Sequence, residues 1–263
     1  MIYKIRTSTL SKILFSCLLR LYFELTKPLV QEDSETLSIG REVHNILSKL
    51  ILNQPLGDLS DDVKNILFTK AKFETQTFAK GEQISDIISK DMFINEIIMD
   101  VERPFTNIEF KISENNSVII NGTPDIITDK GITDWKTIAA KPSVENKWGF
   151  NDNLFHYTEY YLQVILYCLL YCKERNEQYS EKIGRLAYIV KTKTPQFCSR
   201  LFFITPEMLL NMEKQIIHRF KKVIGCIDKK IYPDFSFSPS CCYCNYKRNC
   251  ANVVGICPDK IIE

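Results

Sequence analysis

The stretch Gly122–Thr137, GTPDIITDKGITDWKT, constrains this chain more than any other. Val118, Ile119 and Ile120 lead into it as a strand, Asn121-Gly122 turns the chain, and Pro124-Asp125-Ile126-Ile127 runs on. A second turn at Asp129-Lys130-Gly131 sends it back along Ile132–Lys136, so the pattern predicts a short hairpin. Side chains alternate along a strand. Asp134 and Lys136 therefore share one face and Trp135 takes the other. Asp125, on the neighbouring strand, is placed to face the same way as Asp134. Two carboxylates suit a hard divalent cation bound through oxygen. The lysine beside them can orient water or neutralise growing charge. Such a grouping supports hydrolysis of a phosphodiester by metal-activated water. An isolated Asp-x-Lys is far more often a solvated surface pair, so the rest of the chain must carry the case.

With 263 residues, 45% of them apolar, the chain is long enough for one large domain or a domain with a lobe. No apolar run of about 18 residues occurs, which argues against a membrane span. Lys4, Arg6 and Lys12 before Ile13-Leu14-Phe15 mimic a secretory signal, but Arg20 and Glu24 interrupt the run and no small-residue cleavage site follows. The expectation is a helix of the fold in a cytoplasmic protein. In a reducing compartment, clustered cysteines among a total of ten point to metal or cluster ligation rather than disulfides. Net charge is only +2, but residues 31–110 hold 8 Lys/Arg against 15 Asp/Glu, and residues 182–230 hold 11 against 3. The second stretch is expected to offer a basic face.

Apolar spacing predicts helices over 8–26, 39–52, much of 58–99, 154–176 and 206–227. Period-2 patterning predicts three strands in 101–136 and two more near 184–193 and 198–204. Residues 138–153, with Lys141, Lys147 and Trp148, read as a polar loop that either stays solvated or stacks a single nucleic-acid strand. The order of elements suggests an α/β core with a helical insertion.

Three further groups carry chemistry. His44, on a predicted helix, is an ordinary histidine or a further metal ligand. Gln163 and Tyr167 lie one helical turn apart and face one side. A glutamine among Leu, Val and Ile needs partners, so it either bonds the lysine region or a phosphate, or marks the edge of an amphipathic helix. Cys241, Cys244 and Cys250 form C-x2-C-x5-C, a strong sign of a zinc or iron–sulfur centre. Its fourth ligand comes from Cys257, Cys242 or the distant Cys17. Cys168, Cys172, Cys198 and Cys226 sit in apolar runs and read as core.

Taken in order, Cys17, Gly40/His44, Gly122/Asp125, Asp134/Lys136, Gln163/Tyr167 and Cys241/Cys244/Cys250 resemble the RecB-type branch of the PD-(D/E)xK nucleases. The likeness is greatest to the CRISPR-associated exonuclease family numbered four, and it covers about residues 7–251. It implies an α/β fold: a restriction-endonuclease-like core, a mixed central sheet flanked by helices, with an N-terminal helical insertion and a C-terminal iron–sulfur segment. One nuclease domain would fill residues 1–263: an N-terminal helix with its cysteine (1–38), a helical lobe (39–100), the core (101–230) and a cysteine-rich tail (231–263). By resemblance, Asp125, Asp134, His44 and the Trp135 backbone carbonyl would hold Mg²⁺ or Mn²⁺. Lys136 would activate water, and Gln163 and Tyr167 would support it and the substrate strand. Cys17, Cys241, Cys244 and Cys250 would bind a structural [4Fe–4S] cluster, with Cys242 and Cys257 as extra thiols. Relatives degrade single-stranded DNA, some from the 5′ end, and some work with CRISPR integrase proteins.

The leading expectation is therefore a metal-dependent exonuclease of single-stranded DNA. The alternatives are a non-catalytic DNA-binding adaptor to an integrase and a zinc-stabilised endonuclease. Turnover separates the first alternative, and visible colour separates the second.

Overall fold

The computed structural model describes residues 1–29, 35–68, 72–73, 93, 95–138, 158–190, 196–234 and 244–254. The expected loop 138–153 lies outside these residues beyond Ile138, as do Cys241, Cys242 and Cys257. The chain forms two compact units: Met1–Gln31 with Thr106–Asn121 and Leu210–Glu263, and Glu32–Phe105 with Gly122–Leu209. The class is mixed α/β, with the strands divided between two sheets.

The first unit opens on a strand, β1 (Ile2–Arg6), not on a helix. Tyr3 and Ile5 point inward while Lys4 and Arg6 point out, so two of the three basic residues that imitate a signal peptide are the solvent face of a strand, and the third, Lys12, lies on the helix that follows. α1 (Thr7–Ile13) and α2 (Leu18–Thr26) replace the single helix expected over 8–26. The break has a local cause. Ser16 turns both its backbone N–H and its hydroxyl onto the Ile13 carbonyl, at 2.9 and 2.8 Å, and leaves Cys17 extended (φ −66°, ψ 148°) as the cap of α2.

The remaining elements follow in chain order. α3 (Glu35–Ile51), α4 (Asp61–Phe68), β2 (Lys72–Phe73) and β3 (Ile98–Val101) precede β4 (Phe105–Lys111) and β5 (Ser117–Gly122). β6 (Ile126–Thr128) and β7 (Gly131–Ile138) form the hairpin, and α5 (Thr158–Arg175) follows. β8 (Lys182–Val190), β9 (Gln196–Ile204), α6 (Pro206–Asp228) and a short α7 (Lys247–Val254) complete the chain. In the first unit the sheet order is β1-β5-β4, with β1 parallel to β5. Thr7 Oγ1 ties the start of α1 to the Asn121 carbonyl at 2.9 Å. Met212, Ile216, Phe220, Val223 and Ile224 form the buried stripe of α6.

The second unit holds the six-stranded sheet, order β2-β9-β8-β7-β6-β3. β7 and β8 are parallel from Gly131↔Ile183 to Ile138↔Val190, and the other described pairings on β6, β8 and β3 are antiparallel. Parallel neighbours need a crossover, which here contains α5. Trp135 is fully buried with Val43, Ile46 and Leu47 of α3, and Ala187 and Ile189 join the same core cluster. Arg185 is buried against Glu96, and its Nη1 also donates to Thr133 Oγ1 at 3.2 Å. Lys182 lies over the Tyr171 ring at 5.5 Å. Not every charge of the basic stretch 182–230 is open to a phosphate, since Arg185 is spent inside the protein.

Candidate active site

The hairpin predicted from sequence forms, with Ile126↔Thr133 and Ile127↔Ile132 in register. That register sets Asp125, just ahead of β6, across from Asp134 on β7. Asp125 bridges the hairpin: its Oδ2 accepts the Trp135 amide at 2.6 Å and its Oδ1 pairs with His44 Nδ1 at 2.8 Å. His44 is carried on α3, whose burial beside Trp135 fixes its approach; the two rings meet edge-on at 6.2 Å.

On β7 the period-2 expectation holds. Lys136 Nζ lies 2.5 Å from Asp134 Oδ2 and donates to Gln163 Oε1 at 3.0 Å. Gln163 in turn donates from Nε2 to the Tyr167 hydroxyl at 2.8 Å. The buried glutamine thus has both halves of its amide satisfied, which is what makes its burial tolerable. The Tyr167 hydroxyl also takes a bond from the Thr123 backbone. A polar relay therefore runs Lys136–Gln163–Tyr167–Thr123, from β7 through α5 to the turn that carries Asp125. The sequence reading missed Tyr160. Its ring lies 4.9 Å under Lys136 Nζ, and it sits at i−3 from Gln163 and i−7 from Tyr167, so the helical stripe pointed to it.

Charge in this pocket is unevenly shared. Burial raises Asp134 to about 6, Lys136 opposes that rise, and the negative charge of Asp125 adds to it. Burial also pushes Asp125 up, but His44, the Trp135 amide and Lys136 together hold it below the usual carboxylate value. Burial pulls His44 down, yet the charge and hydrogen bond of Asp125 and the charge of Asp134 outweigh it and raise the imidazole above its ordinary value. Tyr167 is driven well above the usual phenol range, chiefly by burial.

The donor set fits a divalent cation. Asp134 Oδ2 is buried, touches Lys136 Nζ, and accepts no well-angled hydrogen bond among the described residues. Each Asp125 oxygen keeps a lone pair beyond the one given to His44 or Trp135. Among the described residues no three His, Cys, Asp or Glu side chains stand ready as a closed cage, and His44 Nδ1 is turned to Asp125, which leaves Nε2 as the imidazole's ligand atom.

In the first unit, Cys17, Cys244 and Cys250 pack against the same small cluster of Leu19, Phe23 and Tyr246. Phe23 and Tyr246 stack at 5.8 Å, and the Tyr246 hydroxyl bonds Glu24 at 2.7 Å. Residues more than 220 positions apart are thereby held together on α2. Among the described residues no helix is long and apolar enough to cross a membrane.

No curated protein matches the sequence. Among solved structures, the chain resembles a protein of Eubacterium rectale named as a candidate exonuclease, at 15% identity and a TM-score of 0.50, over 92% of this chain and 88% of that one. It also matches a protein designated SSO0001 at 12% identity and a TM-score of 0.43, over 94% and 85% of the two chains. The sequence model of the PD-(D/E)XK nuclease superfamily matches residues 11–251, a span that includes every residue of the site above. With that match running through both units, the chain belongs to the PD-(D/E)XK nuclease superfamily.

Proposed function

We propose that this nuclease is a metal-dependent exonuclease of single-stranded DNA, cutting from the 5′ end. The observation that carries the reading is the meeting of Asp125, Asp134 and Lys136 on one hairpin, with the Gln163–Tyr167 relay behind the lysine. Asp125 and Asp134 would hold Mg²⁺ or Mn²⁺, with His44 and the Trp135 carbonyl completing the protein's share. A divalent cation bound there supplies Lewis-acid polarisation of the scissile phosphate and a more acidic water. The chain's own residues do the rest. Lys136 has three N–H donors; Asp134 and Gln163 engage two and the Tyr160 ring lies 4.9 Å below the ammonium, so the third donor is left to bond the attacking water or a phosphate oxygen. Gln163 and Tyr167 keep that ammonium from swinging away, and the Trp135 amide holds the Asp125 carboxylate in place. The exonuclease assignment draws on the sequence resemblance and on the name of the Eubacterium rectale neighbour. The test is end-labelled single-stranded DNA incubated with Mg²⁺, Mn²⁺ or a chelator. Stepwise, metal-dependent loss of the 5′ label supports the proposal; internal cutting, or no cutting by fully loaded protein, overturns it.

The same reading gives the first unit a structural [4Fe–4S] cluster on Cys17, Cys241, Cys244 and Cys250. Its support is the packing of Cys17, Cys244 and Cys250 on one apolar cluster beside the C-x2-C-x5-C spacing. Such a cluster would close a loop of over 200 residues and restrict the unfolded chain. Protein purified without oxygen should be brown, and Cys244→Ser should lose the visible absorbance and melt at lower temperature. Colourless, zinc-loaded wild type would replace the cluster with a zinc centre and leave the nuclease untouched. In this reading the protein is cytoplasmic and its partners are CRISPR integrase proteins, which co-purification would test.

A further inference from the structure

Two of the three residues between β3 and β4, Glu102 and Arg103, contact both helices that furnish the site, and nothing in the motif accounts for them. Glu102 follows β3 directly. Its backbone N–H donates to the Asp125 carbonyl at 2.9 Å, extending the β3–β6 ladder by one bond to the residue that carries the first carboxylate. Its side chain turns the other way: Glu102 Oε1 accepts from Ser48 Oγ at 2.7 Å. Ser48 is buried on α3, one turn after His44, and its hydroxyl is also 2.9 Å from the His44 carbonyl. One hydroxyl proton serves one acceptor at a time, and the carboxylate is the nearer and the charged one. Next to it, Arg103 reaches Asp100 at 3.1 Å and Glu174 of α5 at 2.8 Å.

The backbone of Glu102 is in the left-handed region, φ 50°, where a side chain with Cβ is disfavoured. A strained non-glycine residue persists where its surroundings over-determine it. Glycine would take this conformation freely and keep the backbone bond to Asp125; what a glutamate adds here is the carboxylate's bond to Ser48. We propose that Glu102 is a positioning residue: through Ser48 it clamps α3 to the turn bearing Asp125 and so sets the 2.8 Å contact of His44 with Asp125. Its catalytic consequence rests on the nuclease reading above, while the clamp itself does not.

The experiment compares wild type with Glu102→Gly, Glu102→Gln, Ser48→Ala and the double variant Glu102→Gly/Ser48→Ala. Glycine relieves the backbone and keeps the N–H bond to Asp125, so the fold should survive with little change in melting temperature. The glutamine oxygen can still accept from Ser48. In histidine-labelled protein, the hydrogen-bonded Nδ1–H signal of His44 should be kept in wild type and Glu102→Gln and be lost or shifted in Glu102→Gly and Ser48→Ala. Turnover should fall about tenfold to a hundredfold in the same two variants at nearly unchanged KM, the scale of effect expected from misplacing a reacting group. The double variant should be no worse than either single one, because both break the same link. An unchanged His44 signal in Glu102→Gly, or additive losses in the double variant, would overturn the proposal. If no nucleic acid is cleaved by wild type, the nuclease reading fails, and the His44 signal still decides for or against the clamp.

Discussion

Lys136→Ala should reduce single-stranded DNA cleavage by at least about a hundredfold at saturating metal while leaving the fold intact, since removing one positioned donor to developing charge costs that much in other hydrolases. The lysine is the only cation facing Asp134 among the described groups that touch it, and its loss has a second, separable effect. In metal-free protein Asp134 stands near 6 against an ordinary 3.8, so the group binds its proton more tightly folded than unfolded. The stability it contributes is therefore complete below the unfolded value and is lost as pH rises through about 6. Removing Lys136 takes away the largest pull that lowers Asp134, with the smaller one of His44 remaining, so the carboxyl keeps its proton to higher pH. At pH 5 the carboxyl is largely neutral in both proteins, and the variant should melt close to wild type. Above pH 7 the variant must either hold that proton against the rising pH or ionise a buried carboxylate with no adjacent cation, and its deficit should grow towards about 3 kcal/mol, the lower end for breaking a buried pair. Saturating Mn²⁺ should restore much of the melting temperature without restoring cleavage. Full activity in Lys136→Ala would remove the lysine from the mechanism, and a melting deficit equal at pH 5 and pH 8 would remove the Asp134 pairing.

The site was legible because each part depends on a short-range rule. Alternation put Asp134 and Lys136 together, turn residues set the hairpin that places Asp125, and the helical i, i+4 spacing joined Gln163 to Tyr167. Tyr160 obeys the same spacing and was missed only because the motif stops at the glutamine. Glu102 was out of reach, since its importance lies in a positive φ and in partners 54 and 23 positions away in the chain. The fold was less legible at the start of the chain. β1 pairs with β5, more than 100 residues on, and no local pattern announces a long-range parallel partner. The helix break at Leu14–Cys17 was hidden because serine, not glycine or proline, causes it. The basic stretch misled for a different reason: charge counted along a sequence takes no account of burial, and Arg185 is 6% exposed.

Gly131→Ala should be the most destabilising small substitution in the second unit. The sequence offers this glycine as a turn residue, but its backbone has no positive φ, and its necessity comes from crowding. A Cβ there would lie 1.8 Å from the Ile183 carbonyl oxygen, with the Ile183 carbonyl carbon and nitrogen at 2.7 and 2.8 Å. These are backbone atoms at the first rung of the β7–β8 pairing, and the Ile183 N–H is already bonded to Lys130 at 2.9 Å. No rotamer change relieves such a contact, so β7 must draw away from β8 at this end. The cost should be about 3 kcal/mol or more, at the top of the range for overpacking, and roughly 10 °C in melting temperature for a chain of this size. Asp134 is three residues along the same strand, opposite Leu186, so displacement of β7 should also reduce cleavage in protein that remains folded. Gly225→Ala is the control. It lies within α6 with nothing within 4 Å of the added carbon, and alanine there should stabilise by about 0.5–1 kcal/mol through helix propensity alone. Equal melting temperatures for the two variants would mean that the close approach of β7 to β8 at Gly131 is absent in solution, and with it the rigid strand on which Asp134 and Lys136 are set.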